Sequence, residues 1–221
     1  MKEVIIIGSG AVAAEISSYL EDVNKMQAAE EIKIIGFLDD NPDNFAVNAD
    51  KYKFVEPYLG ATNSFDFSTN ENYILGFANI QSRKNLLSNL IHLSLNFLTV
   101  IHPTVQIAKT AQIGPGTVIY PNCVIGPNVK IGAHNLITSY SFISHDCIVG
   151  DNNFFSTSGL SGDVRVGNNN FFGIRATVLP GINIGSLNTI QAGMTLDKDV
   201  SDQETVFYRY KEKIHFVKNP N

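Results

Sequence analysis

One histidine in this sequence has neighbours that suit it for acid–base chemistry. His145 follows Ser144 and precedes Asp146 and Cys147. A carboxylate beside an imidazole can fix its tautomer and raise its basicity, and histidine titrates close to neutral pH. His145 is therefore the candidate general base and Asp146 the acid that orients it. The alternative is a histidine that occupies this position by chance.

The segment around His145 belongs to a long six-residue repeat. Large apolar residues recur every six positions from Ile101 to Phe155 and, after a single five-residue step, from Leu160 to Leu196. Neither a helix of period 3.6 nor a strand of period 2 produces such a hexad, whereas a parallel β-helix with one inward side chain per short strand does. We therefore predict a solenoid, with three hexads in each triangular coil.

The positions beside these apolar anchors support a narrow prism. The residue two places before each anchor is mostly small or slender, and Cys123 and Cys147 occupy this position. A narrow interior holds one large side chain per face and only a small one beside it. The two cysteines lie four hexads apart, hence on different faces, and are predicted to be unpaired fillers. Glycines that follow the anchors are predicted at corners, where a Cβ is unwelcome.

The coil length predicts which residue stacks on His145. Residues eighteen apart should lie above one another, and the five-residue step shortens this spacing by one, which gives Gly162. A glycine there would leave its backbone N–H accessible beside the imidazole, as an oxyanion donor in acyl transfer requires. His145, Asp146 and Gly162 together form the predicted catalytic group.

The other histidines do not form a metal-binding pattern. His92 falls in a predicted amphipathic helix, and His102 and His134 fall at corners, where a solvent-facing polar residue is ordinary; His215 lies in the tail. A zinc site of the γ-carbonic-anhydrase kind needs three converging histidines, two of them five apart. No such pair occurs, so no metal is expected.

The first ninety or so residues have a different pattern, typical of a βαβ unit. Strands are predicted at 4–7, 32–38 and 73–77, and helices at 14–24 and 80–95. The turn after the first strand contains Gly8, Gly10, Ala11 and Val12, and resembles G-x-G-x-x-A, in which backbone N–H groups approach a phosphate at a helix N-terminus. Purely structural glycines are the alternative. An acidic pair, Asp39 and Asp40, ends the second strand, where carboxylates commonly bind ribose or base, and the domain's size favours a mononucleotide-sized ligand over NAD.

Bulk composition excludes several classes of partner. The net charge of −5 and the lack of Lys/Arg clusters argue against nucleic acid. No apolar run approaches the length of a membrane span, and the N-terminus enters a strand without a signal-peptide pattern, so a cytoplasmic protein is expected. The predicted organisation is an α/β Rossmann-like domain at 1–98, a parallel β-helix at 99–200 and a polar tail at 201–221, with a strand-like stretch at 205–210.

Several motifs together carry a family resemblance. The hexads, the Gly8–Gly10 turn, Phe37–Asp40, His145–Asp151 and Phe172–Pro180 resemble the bacterial hexapeptide-repeat sugar O-/N-acyltransferases of the NeuD and PglD type. The resemblance covers nearly the whole chain. It implies a left-handed β-helix, a homotrimer with active sites between neighbouring subunits, acetyl-CoA as cosubstrate and a nucleotide-sugar held by the N-terminal domain.

The resemblance also assigns roles to individual residues. It implies His145 as general base, Asp146 as its orienting acid and Gly162 as oxyanion donor. Nucleotide contacts are implied at Gly8, Gly10, Ala11, Val12, Asp39 and Asp40. Contacts with the acyl carrier are implied at Phe154, Gly173, Ile174 and Ala192, and for the stacked pair Ile174 and Ala192 plain coil geometry is the alternative.

The sequence departs from the family pattern at three places. Phe154 stands where the family commonly has a second histidine, Val12 where the glycine loop often has one, and Val206–Lys211 replaces the usual C-terminal element. The favoured function is acetyl transfer to an amino or hydroxyl group of a nucleotide-linked sugar in surface glycan synthesis. The alternatives are a catalytically decayed sugar-nucleotide-binding or scaffold protein and, disfavoured by the histidines, metal-dependent hydration.

Overall fold

The N-terminal part of the protein is a parallel sheet with helices packed on it. The computed structural model describes residues 1–26 and 31–208. Five parallel strands pair in the order β3-β2-β1-β4-β5. They are β1 (Lys2–Ile7), β2 (Ile32–Leu38), β3 (Tyr58–Gly60), β4 (Asn72–Leu75) and β5 (Asn96–Phe97). The helices are α1 (Ala11–Met26), α2 (Pro42–Tyr52) and α3 (Ile80–Leu90), the last followed by a 3-10 turn at Ile91–Leu93.

The elements of this domain follow from ordinary local signals. Helix α1 buries Ala13, Ile16, Leu20 and Val23, whose spacing of three and four places them on one face. Helix α2 has no fully buried residue and packs on the sheet through the partly buried Phe45, and the sequence prediction missed it. Its boundary is nevertheless marked, because the Asn41 side chain accepts hydrogen bonds from the N–H groups of the first turn.

The rest of the described chain is a parallel β-helix with three faces, which we number I to III. Face I pairs β6 (Val100–Ile101), β9 (Val118–Ile119), β12 (Leu136–Ile137), β15 (Phe154–Phe155), β18 (Phe171–Phe172), β21 (Thr189–Ile190) and β23 (Thr205–Val206). Face II pairs β7 (Gln106–Ile107), β10 (Val124–Ile125), β13 (Phe142–Ile143), β16 (Gly159–Leu160), β19 (Thr177–Val178) and β22 (Thr195–Leu196). Face III pairs β8 (Gln112–Ile113), β11 (Lys130–Ile131), β14 (Ile148–Val149), β17 (Arg165–Val166) and β20 (Asn183–Ile184). The left-handed parallel β-helix expected for this chain is confirmed.

The predicted register is also confirmed. Val124 pairs with Gln106, eighteen residues earlier, and Phe142 pairs with Gly159, seventeen later, because the five-residue step falls between β15 and β16. The second residue of each strand from β9 to β22 is buried and faces the interior. Ile107, on β7 in the first coil, is exposed instead, because only one neighbouring coil packs against it.

Buried asparagines form a ladder inside the prism. Asn135, Asn153, Asn170 and Asn188 stand two places before their anchors, and each is at most 1% exposed. The Asn135 side-chain oxygen accepts from Asn153, and the Asn153 oxygen accepts from Asn170. The side-chain amides also donate to backbone carbonyls of the corners. The buried amides of Asn135, Asn153 and Asn170 are tolerated because the next coil supplies acceptors for them. In the last coil of the ladder, Asn188 Nδ2 has no partner among the described residues.

Several corner glycines are required by close packing. A Cβ on Gly114, Gly126 or Gly173 would lie 2.5–2.8 Å from the backbone of the next coil. The strained backbone lies elsewhere in the corner, at non-glycine residues with positive φ such as Asn128 (59°) and Asp146 (62°). Asparagine and aspartate tolerate this region better than most residues.

The two domains share a hydrophobic core. Outward residues of face I, Val100, Val118 and Leu136, are buried against Ile16 and other residues of the N-terminal domain. This docking covers His102 and His134 with the N-terminal domain, so the prediction that they are solvent-facing corner residues was wrong. No helix in the described part of the chain is long and apolar enough to cross a membrane.

The two corner histidines pack on the N-terminal domain instead. His102 is 5% exposed, with Nδ1 2.8 Å from the Thr104 hydroxyl. His134 packs edge-on against Phe97, with ring centroids 4.7 Å apart, and its Nδ1 is buried without a partner. Burial first, and then the Arg83 charge, lower the pKa of His134 to about 4, so this imidazole is neutral at pH 7.

Candidate active site

His145 lies on the corner between faces II and III, in the loop from β13 to β14. Its side chain is 63% exposed, and its Nδ1 lies 2.8 Å from Asp146 Oδ2. With Asp146 accepting the Nδ1 proton, Nε2 is left unprotonated and open to solvent, which is the arrangement a general base needs. The structure therefore brings the predicted base and its orienting acid into direct contact.

Asp146 has a second partner that the sequence prediction missed. Asn128 Nδ2 donates to Asp146 Oδ1 over 3.0 Å, from the same corner one coil earlier. This hydrogen bond, and then the one from His145, lower the pKa of Asp146 and keep its carboxylate ionised near neutral pH. The eighteen-residue spacing between Asn128 and Asp146 was the signal that could have found it.

Gly162 lies on the same corner, one coil beyond His145. A Cβ at Gly162 would lie 2.5 Å from His145 Cε1 and 2.6 Å from Nε2, so the imidazole rests directly on this glycine. Among the described residues the Gly162 N–H donates to no protein group. Pro127, one coil before His145, and Pro180, one coil after Gly162, occupy the equivalent place, as expected for a position whose N–H is not needed by the fold.

The two cysteines are structural. Cys123 and Cys147 are both free and completely buried. The Cys147 thiol donates to the Ser161 carbonyl at 3.0 Å, and burial raises its pKa. A thiol in this state is a poor nucleophile, so its position beside Asp146 does not make it part of the chemistry.

Four of the residues assigned to nucleotide contacts line one cavity. It has a volume of about 420 Å³ and lies at the C-terminal ends of β1, β2 and β4. Its wall includes Gly8, Gly10, Asp39 and Asp40, and also Ser9, Asn44, Thr62, Phe77, Ser82 and Leu86, which the sequence prediction did not name. Such a crevice beyond the carboxyl ends of parallel strands is where open α/β sheets bind ligands.

The acidic pair divides its roles within this cavity. Asp39 Oδ2 accepts from the Ser9 N–H and hydroxyl and Oδ1 from the Asn41 N–H, so both oxygens hold the loops in place. Asp40 Oδ1 accepts from the N–H and hydroxyl of Thr62. Within the described residues Asp40 Oδ2 has no protein partner, so Asp40 is the member of the pair that can accept from a ligand hydroxyl.

The other two positions assigned to nucleotide contacts, Ala11 and Val12, do not line this cavity. Ala11 begins α1 beside Gly10 but does not line the nucleotide-sized cavity, and Val12 lines a second cavity of about 300 Å³. Phe154 lies in the wall of this second cavity as well, so the two positions where the family commonly has histidines meet in one place. The Tyr120 hydroxyl in the same wall is buried without a hydrogen-bond partner.

The predicted acyl-carrier contacts lie on a different corner from His145. Gly173 and Ile174 follow β18, and Ala192 follows β21, which places all three between faces I and II. A Cβ at Gly173 would lie 2.6 Å from the Ala192 N atom, so these turns stack closely. Ile174 is 54% exposed. One chain therefore does not bring these residues to its own His145.

The described residues show no group of three or more His, Cys, Asp or Glu side chains that could hold a metal ion.

The tail prediction falls partly outside the described residues. Strand β23 occupies Thr205–Val206 of the predicted strand at 205–210, and the residues from 209 onward, including His215 and Lys211, lie outside the described range.

Part of the six-residue repeat matches a known family model. Residues 104–139 match the family model described as bacterial transferase hexapeptide (six repeats). No curated protein matches the chain.

Three solved structures are similar to this chain over nearly its whole length. The acetyltransferase domain of PglB from Neisseria gonorrhoeae FA1090, in complex with acetyl coenzyme A, is 22% identical, with a TM-score of 0.76 over 92% of this chain and 95% of that one. PerB from Caulobacter crescentus, in complex with CoA and GDP-perosamine, is 21% identical, with a TM-score of 0.70 over 93% of both chains. WeeI from Acinetobacter baumannii AYE is 20% identical, with a TM-score of 0.73 over 93% of this chain and 96% of its own.

Proposed function

We propose that this protein transfers the acetyl group of acetyl-CoA to an amino or hydroxyl group of a nucleotide-linked sugar. The observation that carries the proposal is the contact of His145 with both Asp146 and Gly162, which unites a base, its orienting acid and an unused backbone donor on one corner. The complexes of similar proteins with acetyl coenzyme A, and with CoA and GDP-perosamine, support the choice of cosubstrate and acceptor class.

The chemistry proceeds through a tetrahedral intermediate. His145 Nε2 takes the proton from the acceptor nitrogen or oxygen as that atom attacks the thioester carbonyl carbon. Asp146 stabilises the imidazolium through Nδ1, and the Gly162 N–H stabilises the oxyanion. Collapse of the intermediate breaks the C–S bond, and the departing thiolate of CoA takes the proton from His145. No acyl-enzyme forms, because the Cys147 thiol is buried and hydrogen-bonded.

The nucleotide part of the acceptor binds in the 420 Å³ cavity of the N-terminal domain. The turn Gly8–Gly10, which lines the cavity at the N-terminal end of α1, faces the phosphates, because a helix N-terminus favours negative charge. Asp40 Oδ2 accepts a hydrogen bond from a hydroxyl of the ribose or base. This cavity thereby holds the sugar near the β-helix.

The active site is completed by a second subunit of a homotrimer. His145 lies between faces II and III, whereas Ile174 and Ala192 lie between faces I and II. In a threefold arrangement the corner between faces II and III of one chain meets the corner between faces I and II of its neighbour. Acetyl-CoA bound along Ile174 and Ala192 of one chain therefore reaches His145 of the neighbouring chain. Exposed apolar side chains near these corners, Phe142 and Ile148 among them, would be covered by the contact. The transfer itself would take place in the cytoplasm, and its product would be used in surface glycan synthesis.

Replacement of His145 by Ala tests the mechanism. The variant should keep its oligomeric state and its affinity for acetyl-CoA while its turnover falls at least about 100-fold, the scale of a lost general base. UDP-, GDP-, dTDP- and CMP-linked sugars would be screened by thiol release, with His92→Ala, an exposed histidine of the 3-10 turn, as control. Undiminished turnover of His145→Ala would refute the mechanism.

A catalytically decayed binding protein is the second candidate. It is favoured by Val12 and Phe154, which make one cavity wall apolar where the family pattern places histidines. Titration calorimetry with acetyl-CoA separates the two candidates. Absence of binding at millimolar acetyl-CoA, together with retained binding of a nucleotide-sugar, would favour the decayed module.

A further inference from the structure

A completely buried arginine joins the two domains. Arg83, in the first turns of α3, has 0% of its surface exposed. Its Nε donates to Asn152 Oδ1 at 3.0 Å, one terminal nitrogen donates to the Phe77 carbonyl at 2.8 Å, and the other donates to the His134 carbonyl at 2.6 Å. Two of these acceptors belong to the corner of the β-helix between faces III and I, and the third precedes α3 in the N-terminal domain.

The cation has no carboxylate partner among the described residues. All three acceptors are neutral oxygens, and burial lowers its pKa to about 10, which still leaves it charged at pH 7. Transferring a guanidinium from water to a buried site is costly unless its hydrogen bonds are well satisfied. An apolar side chain would fill the same space at less cost, so what the arginine adds is a fixed direction for three contacts.

Helix α3 contacts both the corner of the β-helix and the nucleotide-sized cavity. Ser82 and Leu86, four residues apart, line that cavity, and Phe77, whose carbonyl Arg83 holds, lines it too. The side chain of Asn152 in turn donates to Ile80 and Asn169, so the corner that receives Arg83 is itself fixed. A shift of α3 against the β-helix would therefore move one wall of the cavity.

We propose that Arg83 is a positioning residue that sets the place of the nucleotide-binding cavity relative to the β-helix and so the reach of the acceptor sugar. The inference rests on the proposed function. The cavity holds one end of the acceptor and His145 reacts at the other, so an error of about 1 Å between the domains can lower turnover by about 100-fold without weakening either binding step.

Two variants at Arg83 test this role, with a neighbour as control. Arg83→Met fills the space without directed contacts, and Arg83→Lys keeps the charge and part of the donors. Lys84→Met removes the adjacent cation of α3, which makes no hydrogen bond to the β-helix among the described residues. Arg83→Met should lower kcat with the nucleotide-sugar about 10- to 100-fold while KM for acetyl-CoA and nucleotide affinity change less than about threefold. Arg83→Lys should recover part of the loss.

A second perturbation from the other domain protects the test against misfolding of Arg83→Met. Asn152 has a φ of 52°, which glycine adopts without strain, so Asn152→Gly removes the acceptor and preserves the turn. Asn122→Gly, at a corner residue with a φ of 60°, is the matched control. Asn152→Gly should reproduce the fall in kcat, and Asn122→Gly should not.

Spin labels measure the domain placement directly. Cysteines replacing exposed Val47 on α2 and exposed Lys198 in the loop after β22 can be labelled selectively because Cys123 and Cys147 are buried. In labelled chains diluted with unlabelled ones, the distance distribution should broaden in Arg83→Met and keep its width in Lys84→Met. An unchanged width, or an equal loss of acetyl-CoA binding and turnover, would overturn the positioning role. Absence of transfer by the unaltered protein would refute the proposed function, while the label distances would still decide the role of Arg83.

Discussion

Replacing Gly162 by Ala tests the proposed catalytic geometry with a single methyl group. The new Cβ would lie 2.5 Å from His145 Cε1 and 2.6 Å from Nε2. Carbon atoms in favourable contact are at least about 3.5 Å apart, so one partner must move by about 1 Å. The imidazole moves, because it is the 63% exposed end of a side chain, whereas Gly162 is fixed in a packed coil.

The displacement disrupts both catalytic contacts at once. A shift of about 1 Å would stretch the 2.8 Å contact of His145 Nδ1 with Asp146 Oδ2 beyond hydrogen-bond range. It would also move Nε2 away from the acceptor and place a methyl group beside the Gly162 N–H. Misplacement on this scale costs about 100-fold in turnover, equivalent to about 2.7 kcal/mol of transition-state stabilisation.

Steady-state thiol release with acetyl-CoA and the nucleotide-sugar measures the effect. kcat of Gly162→Ala should fall about 100-fold, whereas KM for acetyl-CoA should change little and the midpoint of thermal unfolding should stay within a few degrees. Pro180→Ala, at the equivalent place one coil further, should retain activity. If Gly162→Ala turned over as fast as the unaltered protein, the assignment of His145, whose ring rests on Gly162, as the reacting base would be refuted.

Three further predictions concern electrostatics and packing. The pKa of His134 is about 4 in the folded protein, whereas the ordinary value is 6.5. As the pH falls below 6.5, the unfolded chain therefore binds a proton at His134 before the folded protein does. About 3 kcal/mol of stability that is present above pH 6.5 should be lost by pH 4. Urea unfolding across this range should show the loss, and His134→Asn should reduce the slope whereas His92→Asn should not. Asp146→Asn removes the carboxylate charge and can present an N–H to Nδ1, which favours the wrong tautomer of His145. It should lower kcat about 100-fold or more with little change in circular dichroism, so retained activity would show that Asp146 does not orient the base. Asn153→Leu leaves buried partners of the asparagine ladder unpaired and should destabilise the protein by about 3 kcal/mol or more, measured by urea unfolding, and a neutral effect would show that the ladder is dispensable.

The solenoid was predictable because its signal is local and repeated. An inward apolar side chain is needed on every short strand, so the hexad records the fold directly in the sequence. The same register predicted that Gly162 stacks on His145. The N-terminal domain was predicted less completely, because α2 has no fully buried residue and β3 and β5 are only three and two residues long.

The histidine predictions mark the limit of repeat-based reasoning. His102 and His134 occupy corner positions that face solvent in an isolated β-helix, and the repeat pattern contains no sign of the domain that covers them. The acidic pair illustrates a related limit. Asp39 and Asp40 are adjacent in sequence, yet the loops around them occupy both oxygens of Asp39 and, within the part of the chain that the structure describes, leave one oxygen of Asp40 without a partner.

The sequence by itself determined the β-helix, its register and the meeting of His145, Asp146 and Gly162, because each depends on spacings within a regular coil. Only the tertiary structure decided how the domains meet, since that contact depends on side chains far apart in the chain. The hydrogen bonds from Arg83 to Asn152 and His134 span 69 and 51 residues. The separation of His145 from Ile174 and Ala192 on different corners was likewise a matter of three-dimensional arrangement, because it depends on which face each strand joins.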